Sequence, residues 1–163
     1  MRLPKGFRSG AISAGLKSNG NLDLTIIQNT GPDNFGTAVF TSNRVIAAPV
    51  IWSKEVIKDH EVAAVVLNSG GANACTGPQG FADAHKTAEL VGEKLDISAS
   101  DVVVCSTGLI GELLPMEKIV NGIAHIELNE SSLTESAIAI MTTDTVSKIA
   151  FFEGQSITSV GIA

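Results

Sequence analysis

The sequence predicts one layered domain of mixed α and β structure, and three observations carry that reading. Short apolar or alternating runs, separated by turn residues, fill the first third of the 163 residues. Two continuous β-branched runs, Ala63 to Leu67 and Val102 to Cys105, suit strands buried on both faces. Amphipathic stripes follow each of them, and a strand, helix, strand, helix order packs as α/β or α+β layers.

Taken in order, Ala11 to Leu16, Asp23 to Gln28, Thr37 to Phe40 and Pro49 to Trp52 read as strands. Ser18-Asn-Gly-Asn21, Asn29-Thr-Gly-Pro-Asp-Asn34 and Thr41-Ser-Asn-Arg44 supply the turns between them. Ser53 to Asp59 reads as a short helix with Ser53 as its N-cap. Phe81 to Leu95 sets Phe81, Ala84, Ala88, Val91 and Leu95 along one helical face. Pro115 suits the first position of the next helix, whose apolar side is Met116, Ile119, Val120 and Ile123. Ser132 to Met141 reads as a helix in which Ser132 and Glu135 are spaced as a capping box. Lys148 to Phe152 and Ser156 to Ile162 form a hairpin about Glu153-Gly-Gln155. The sequence stops inside that last apolar run, where polar, frayed ends are usual.

Composition narrows the function classes. The apolar fraction is 44% and the charged fraction only 17%, so one face is expected to be buried against something else. Net charge is −6 and the basic residues are scattered singly, which excludes nucleic acid as an expected partner. No run reaches the ~18 apolar residues of a membrane span, and the first ten residues lack the apolar core of a signal peptide. Cys75 and Cys105 show no metal or redox spacing and read as small buried hydrophobes of a reduced, cytoplasmic protein. His60, His85 and His125 do not cluster, so no metal site and no cofactor is expected.

The chemistry-bearing stretches are turns. In Asp101-Val-Val-Val-Cys-Ser-Thr-Gly-Leu-Ile-Gly-Glu112 a buried strand delivers Ser106, Thr107 and Gly108 into a loop. Two readings stand: amides and the Thr107 hydroxyl aimed at a developing oxyanion, or an ordinary β-to-loop connection that needs Gly. Asn68-Ser-Gly-Gly-Ala-Asn-Ala-Cys-Thr-Gly77 lacks the endings of nucleotide-binding loops, and two readings stand for it, a phosphate cradle and, favoured by its glycines, a tight backbone crossing. In Thr142-Thr-Asp-Thr145, Asp144 serves either as a local cap or beside a threonine hydroxyl that holds substrate. Oxyanion donors are thus on offer, but no Ser, His and Asp set supplies a nucleophile or base.

Several motifs, in order, cover nearly the whole chain: Pro4-Lys-Gly-Phe7, Val39-Phe-Thr-Ser-Asn-Arg44 with Ala47-Ala-Pro-Val50, and Asn68 to Gly80. Ser106-Thr-Gly-Leu-Ile-Gly111 with Leu114-Pro-Met116, and Ala139-Ile-Met-Thr-Thr-Asp-Thr145, complete the set. Together they resemble the ornithine acetyltransferase family, the bifunctional glutamate N-acetyltransferases. The resemblance implies an α+β fold, a layered αββα sandwich with mixed sheets completed by a partner β chain. It implies a self-cleaving precursor whose β chain begins with the nucleophilic threonine, this sequence being the α chain, one domain over residues 1–163. The family's Lys-Gly stretch before the cleavage point, with its substrate-binding lysine, is absent after Ala163. The family's Pro before the lysine of the Thr-Thr-Asp-Thr segment is replaced by Ser147.

By the same resemblance, Thr107 and Gly108 form the oxyanion hole, and Thr142 or its neighbour Thr143 contacts substrate. The expected reaction moves acetyl from N-acetylornithine to glutamate through an acetyl-threonine intermediate, in arginine biosynthesis, within an α2β2 heterotetramer. Some family members also accept acetyl-CoA. The rival readings are a related acyltransferase or amidohydrolase with another acyl substrate, a non-catalytic anion-binding module, and a purely structural partner subunit.

Overall fold

Four strands form one mixed sheet in the computed structural model, which describes residues 3–163. Its order follows the chain: β1 (Phe7–Ile12), β2 (Leu24–Asn29), β3 (Ala64–Gly71) and β4 (Val102–Leu109). The first two junctions are antiparallel and the last, β3 with β4, is parallel. A parallel neighbour needs a long crossover, and α2 (Gly77–Leu95) supplies it. The remaining elements are α1 (Ala48–Val56), α3 (Met116–His125), α4 (Leu133–Ala139) and a separate hairpin of β5 (Ile149–Glu153) and β6 (Thr158–Ile162).

Strand alternation divides the sheet into two unlike faces. Leu24 and Ile26, Ala64 and Val66, and Val102 and Val104 point to one side. There they meet Ala88 and Val91 of α2 and Ile119 and Ile123 of α3, all nearly inaccessible to solvent. The opposite face carries Thr25, Leu67 and Val65, then Val103, Cys105 and Thr107. The helix α4 covers its β1–β2 end, where Thr25 Oγ1 donates to Ser136 Oγ at 2.9 Å and Ser69 Oγ donates to the Ala139 carbonyl. Val65, Leu67 and Val103 remain half-buried, and Thr107 is exposed.

Several expectations change, each for a local reason. The strand expected over Ala11 to Leu16 ends at Ile12, because the buried Asp23 carboxylate accepts the amides of Ala14, Leu16 and Lys17 at 2.7, 2.6 and 3.0 Å. Those bonds curl the chain off the ladder. Thr37 to Phe40 forms no regular strand: Phe35 makes one isolated bridge to Glu61, and Val39 is 99% exposed. Pro49 to Trp52 is helical, since Pro49 sits in the first turn of α1, where its missing N–H costs nothing. Ser53 is therefore a buried mid-helix residue rather than an N-cap. Ser132 makes no side-chain cap; its carbonyl instead accepts the Ser136 amide. Phe81 and Val120 face solvent rather than the core, and both cysteines are exposed rather than buried. The remaining residues of the predicted α2 and α3 faces and the terminal hairpin are where the pattern places them, while the two apolar strands are buried on one face only, because the second face is just half covered.

Candidate functional site

The small-residue segments after the two apolar runs are strand, not loop. β3 runs on through Asn68, Ser69, Gly70 and Gly71, paired in register with Ser106, Thr107, Gly108 and Leu109. Gly70 and Gly108 face each other with φ of +134° and +131°, a region that side chains rarely tolerate. A Cβ on Gly108 would fall 2.6 Å from the Gly70 carbonyl carbon and 2.7 Å from the Gly71 nitrogen. One on Gly70 would fall 2.9 Å from the Leu16 carbonyl oxygen. Three stretches of backbone are thus stacked in direct contact, with glycine at both crossings.

Side chains fasten the stack. Ser106 Oγ donates to Asn68 Oδ1 at 2.6 Å, and Asn68 Nδ2 donates to the Gly71 carbonyl at 3.1 Å. The Ser69 amide donates to the Asp23 carbonyl at 2.8 Å, tying β3 to the segment before β2. The outer edge of β4 is covered by α1. Ser53 Oγ donates to the Val104 carbonyl at 2.8 Å and accepts its amide at 3.1 Å, while Trp52 Nε1 donates to the Val102 carbonyl at 2.9 Å. In a parallel ladder alternate residues address the same neighbour, so the next outward amides are those of Ser106 and Gly108.

Beside this stack lies an open cleft of about 520 Å³. Thr107, Gly108, Thr142 and Thr143, the four residues singled out in the sequence, all line it, together with Gly70, Leu109 and the 16–19 segment. Thr142 and Thr143 arrive from the end of α4 and are exposed. Asp144 does not enter the cleft lining. It accepts the Thr142 amide at 3.4 Å and pairs with Lys148, whose hydrogen bond, with that amide and the lysine charge, holds its carboxyl below the usual range. Its role is local shaping of the loop.

The sequence pattern puts Leu16 at the end of a strand and Ser18 and Asn19 in a turn, and singles out none of the 16–19 wall as functional. Its one titratable group, Lys17, donates from Nζ to the Leu22 carbonyl at 2.9 Å. Burial pushes the Lys17 pKa down, and the Asp23 charge offsets part of that. Asn68, which bolts the two strand ends, was likewise hidden inside a segment read as loop. No lining residue is a histidine, cysteine or carboxylate. Among the described residues no group of His, Cys, Asp and Glu could hold a metal: His85 stacks on Trp52 at 4.7 Å and His60 on Phe35 at 5.3 Å. The cleft can donate hydrogen bonds and present a cation, but it contains no nucleophile-and-base pair of its own.

Comparison with known proteins decides the family. The sequence model described as the ArgJ family matches residues 8–163. The chain belongs to the ArgJ family. It is 57% identical over 146 residues to the arginine biosynthesis bifunctional protein ArgJ of Streptomyces coelicolor, covering 88% of this chain and 38% of that protein. The ArgJ protein of Mycobacterium tuberculosis is 51% identical over 154 residues, covering 89% of this chain and 38% of the relative. The chain therefore spans about two fifths of the length of the curated ArgJ relatives it matches. Among solved structures, the ornithine acetyltransferase of Mycobacterium tuberculosis complexed with ornithine superimposes with a TM-score of 0.96 at 48% identity. That match covers 98% of this chain and 88% of the solved one. The chain shares the layered αββα fold with mixed sheets of the ArgJ structures. Among the described residues no helix is long and apolar enough to cross a membrane.

Proposed function

We propose that residues 1–163 are the α part of an acetyltransferase of arginine biosynthesis, which moves acetyl from N-acetylornithine to glutamate. The observation that carries this reading is the convergence of Thr107, Gly108, Thr142 and Thr143 on one cleft that holds no nucleophile-and-base pair of its own. The reacting group then comes from the remainder of the protein, as the N-terminal threonine of a β chain released by self-cleavage. The lengths support this. The chain covers 38% of the curated Mycobacterium tuberculosis relative but 88% of the chain in that organism's solved structure, so the solved polypeptide is itself a fragment of the full sequence. The assembly is an α2β2 heterotetramer in the cytoplasm. The relatives are named bifunctional, and the second activity that the family resemblance implies takes acetyl-CoA as donor.

In this scheme the free α-amine of the β-chain threonine takes the proton from its own hydroxyl, which attacks the acetyl carbonyl. The tetrahedral oxyanion forms against the Thr107 hydroxyl and the outward Gly108 amide, donors fixed before charge develops. Collapse expels ornithine and leaves acetyl-threonine. Glutamate's amine then attacks the ester through a second oxyanion at the same donors and regenerates the threonine. Thr142 and Thr143 hold the polar part of the substrate at the open side. Thr107→Ala is expected to lower kcat by about 10²–10³ while the two chains still co-purify. Near-normal turnover in that variant overturns the assignment.

A further inference from the structure

We propose that Lys17 is a specificity residue of this cleft, its ammonium selecting substrates that carry a carboxylate beside the acyl group. The inference rests on the acetyl-transfer reading above and adds to it a residue that no sequence motif singled out.

Lys17 is the one charged residue among those lining the cleft. Its ammonium has several donors, of which one N–H is used on the Leu22 carbonyl. Asp23 does not neutralise it by direct contact. Both carboxylate oxygens of Asp23 accept backbone amides, those of Ala14, Leu16 and Lys17, and no ion pair of Lys17 occurs among the described residues. The carboxylate therefore sets the backbone of the loop and leaves Lys17, which lines the cleft, without a salt-bridge partner among the described residues. Position is fixed as well. The Leu16 carbonyl lies against Gly70, and Gly70 lies against Gly108, so the backbone that carries Lys17 adjoins the same stack as the proposed oxyanion donors. Partial burial disfavours the lysine charge, so an anion that pairs with it is worth more there than in water. Both reactants of the proposed transfer, N-acetylornithine and glutamate, bear an α-carboxylate, so one cation serves both half-reactions.

The test compares two acetyl donors in the complete enzyme, this chain together with the remainder that its relatives carry. N-acetylputrescine is N-acetylornithine without the carboxylate. Lys17→Gln should lower kcat/KM for N-acetylornithine by about tenfold to a hundredfold, chiefly through KM, the expected effect of losing a charged hydrogen bond. It should leave kcat/KM for N-acetylputrescine unchanged, and Lys17→Arg should recover much of the lost selectivity. An equal loss for both donors assigns Lys17 to loop structure and overturns the proposal, as does no loss for either. The wild-type enzyme offers a second readout that does not depend on the variants folding. N-acetylornithine should protect Lys17 from amine acylation, read by peptide mass, where N-acetylputrescine does not; equal labelling rejects the idea. If the wild type transfers no acetyl from N-acetylornithine, the parent reading falls. If it does, and Lys17→Gln keeps its selectivity, only the Lys17 assignment falls.

Discussion

Gly108 shows how much of the site is decided at a single position. Its φ of +131° costs an L-residue about 1–3 kcal/mol, and a Cβ would also press into the Gly70–Gly71 backbone at 2.6–2.7 Å. Gly108→Ala should therefore lose activity and also lower the unfolding midpoint of the assembled enzyme, whereas Thr107→Ala should lose activity alone. A Gly108→Ala enzyme with unchanged denaturant stability would contradict the stacked geometry. Cys105, one register step before Ser106, tests the same neighbourhood through pH. It presents surface, yet surrounding atoms desolvate its thiol and push its pKa up. The folded state thus favours the neutral thiol. The associated stability is intact below the ordinary thiol range and is lost as pH rises above it. Alkylation of Cys105 by iodoacetamide near pH 8 should be slower than that of an unstructured cysteine peptide; equal rates would refute the desolvation.

Among the elements, α1 and β4 are the pair on which the site leans. Ser53 satisfies both outward backbone groups of Val104 from the middle of a helix, closing an edge that would otherwise be unpaired. Ser53→Ala leaves those buried groups without partners, at a cost of about 1–3 kcal/mol. Urea unfolding of the assembled enzyme measures it, and a change under a few tenths of a kcal/mol would show that water replaces the hydroxyl. The sequence pattern reads this element as a strand followed by a helix, because Val50, Ile51 and Trp52 look like a short apolar run. Pro49 is compatible with both, and only the docking of the helix on β4 decides between them. The small-residue segments fail the same way. Asn68 to Gly71 and Ser106 to Leu109 carry turn-forming residues, yet each strand gives the other its ladder, and pairing outweighs local preference.

The whole molecule leaves apolar surface in the open. Leu109, Ile110 and Leu113 are exposed beside the cleft, and Phe151, Phe152 and Ile157 on the hairpin. Val65, Leu67 and Val103 are only half covered on the sheet's second face. Exposed apolar patches are what the proposed two-part enzyme predicts for one of its parts. Expressed alone, the chain should self-associate during size-exclusion chromatography; co-expressed with the remainder of the protein, it should run as one defined complex. A stable, dispersed monomer would count against the two-part reading.

Hydrophobic periodicity was enough to place the inward residues of β3, β4, α2 and α3, because burying those side chains is the dominant favourable energy and leaves a period in the chain. The family resemblance named Thr107, Gly108, Thr142 and Thr143, and the structure places all four along one cleft. What brings these two pairs of residues, thirty-odd positions apart in the sequence, onto one wall with Lys17 is the glycine-on-glycine stack and the Asp23 loop. Glycines mark in the sequence where a tight backbone crossing can occur, but which distant segment each one meets, and which amides the Asp23 carboxylate gathers, is decided only when the chain is folded.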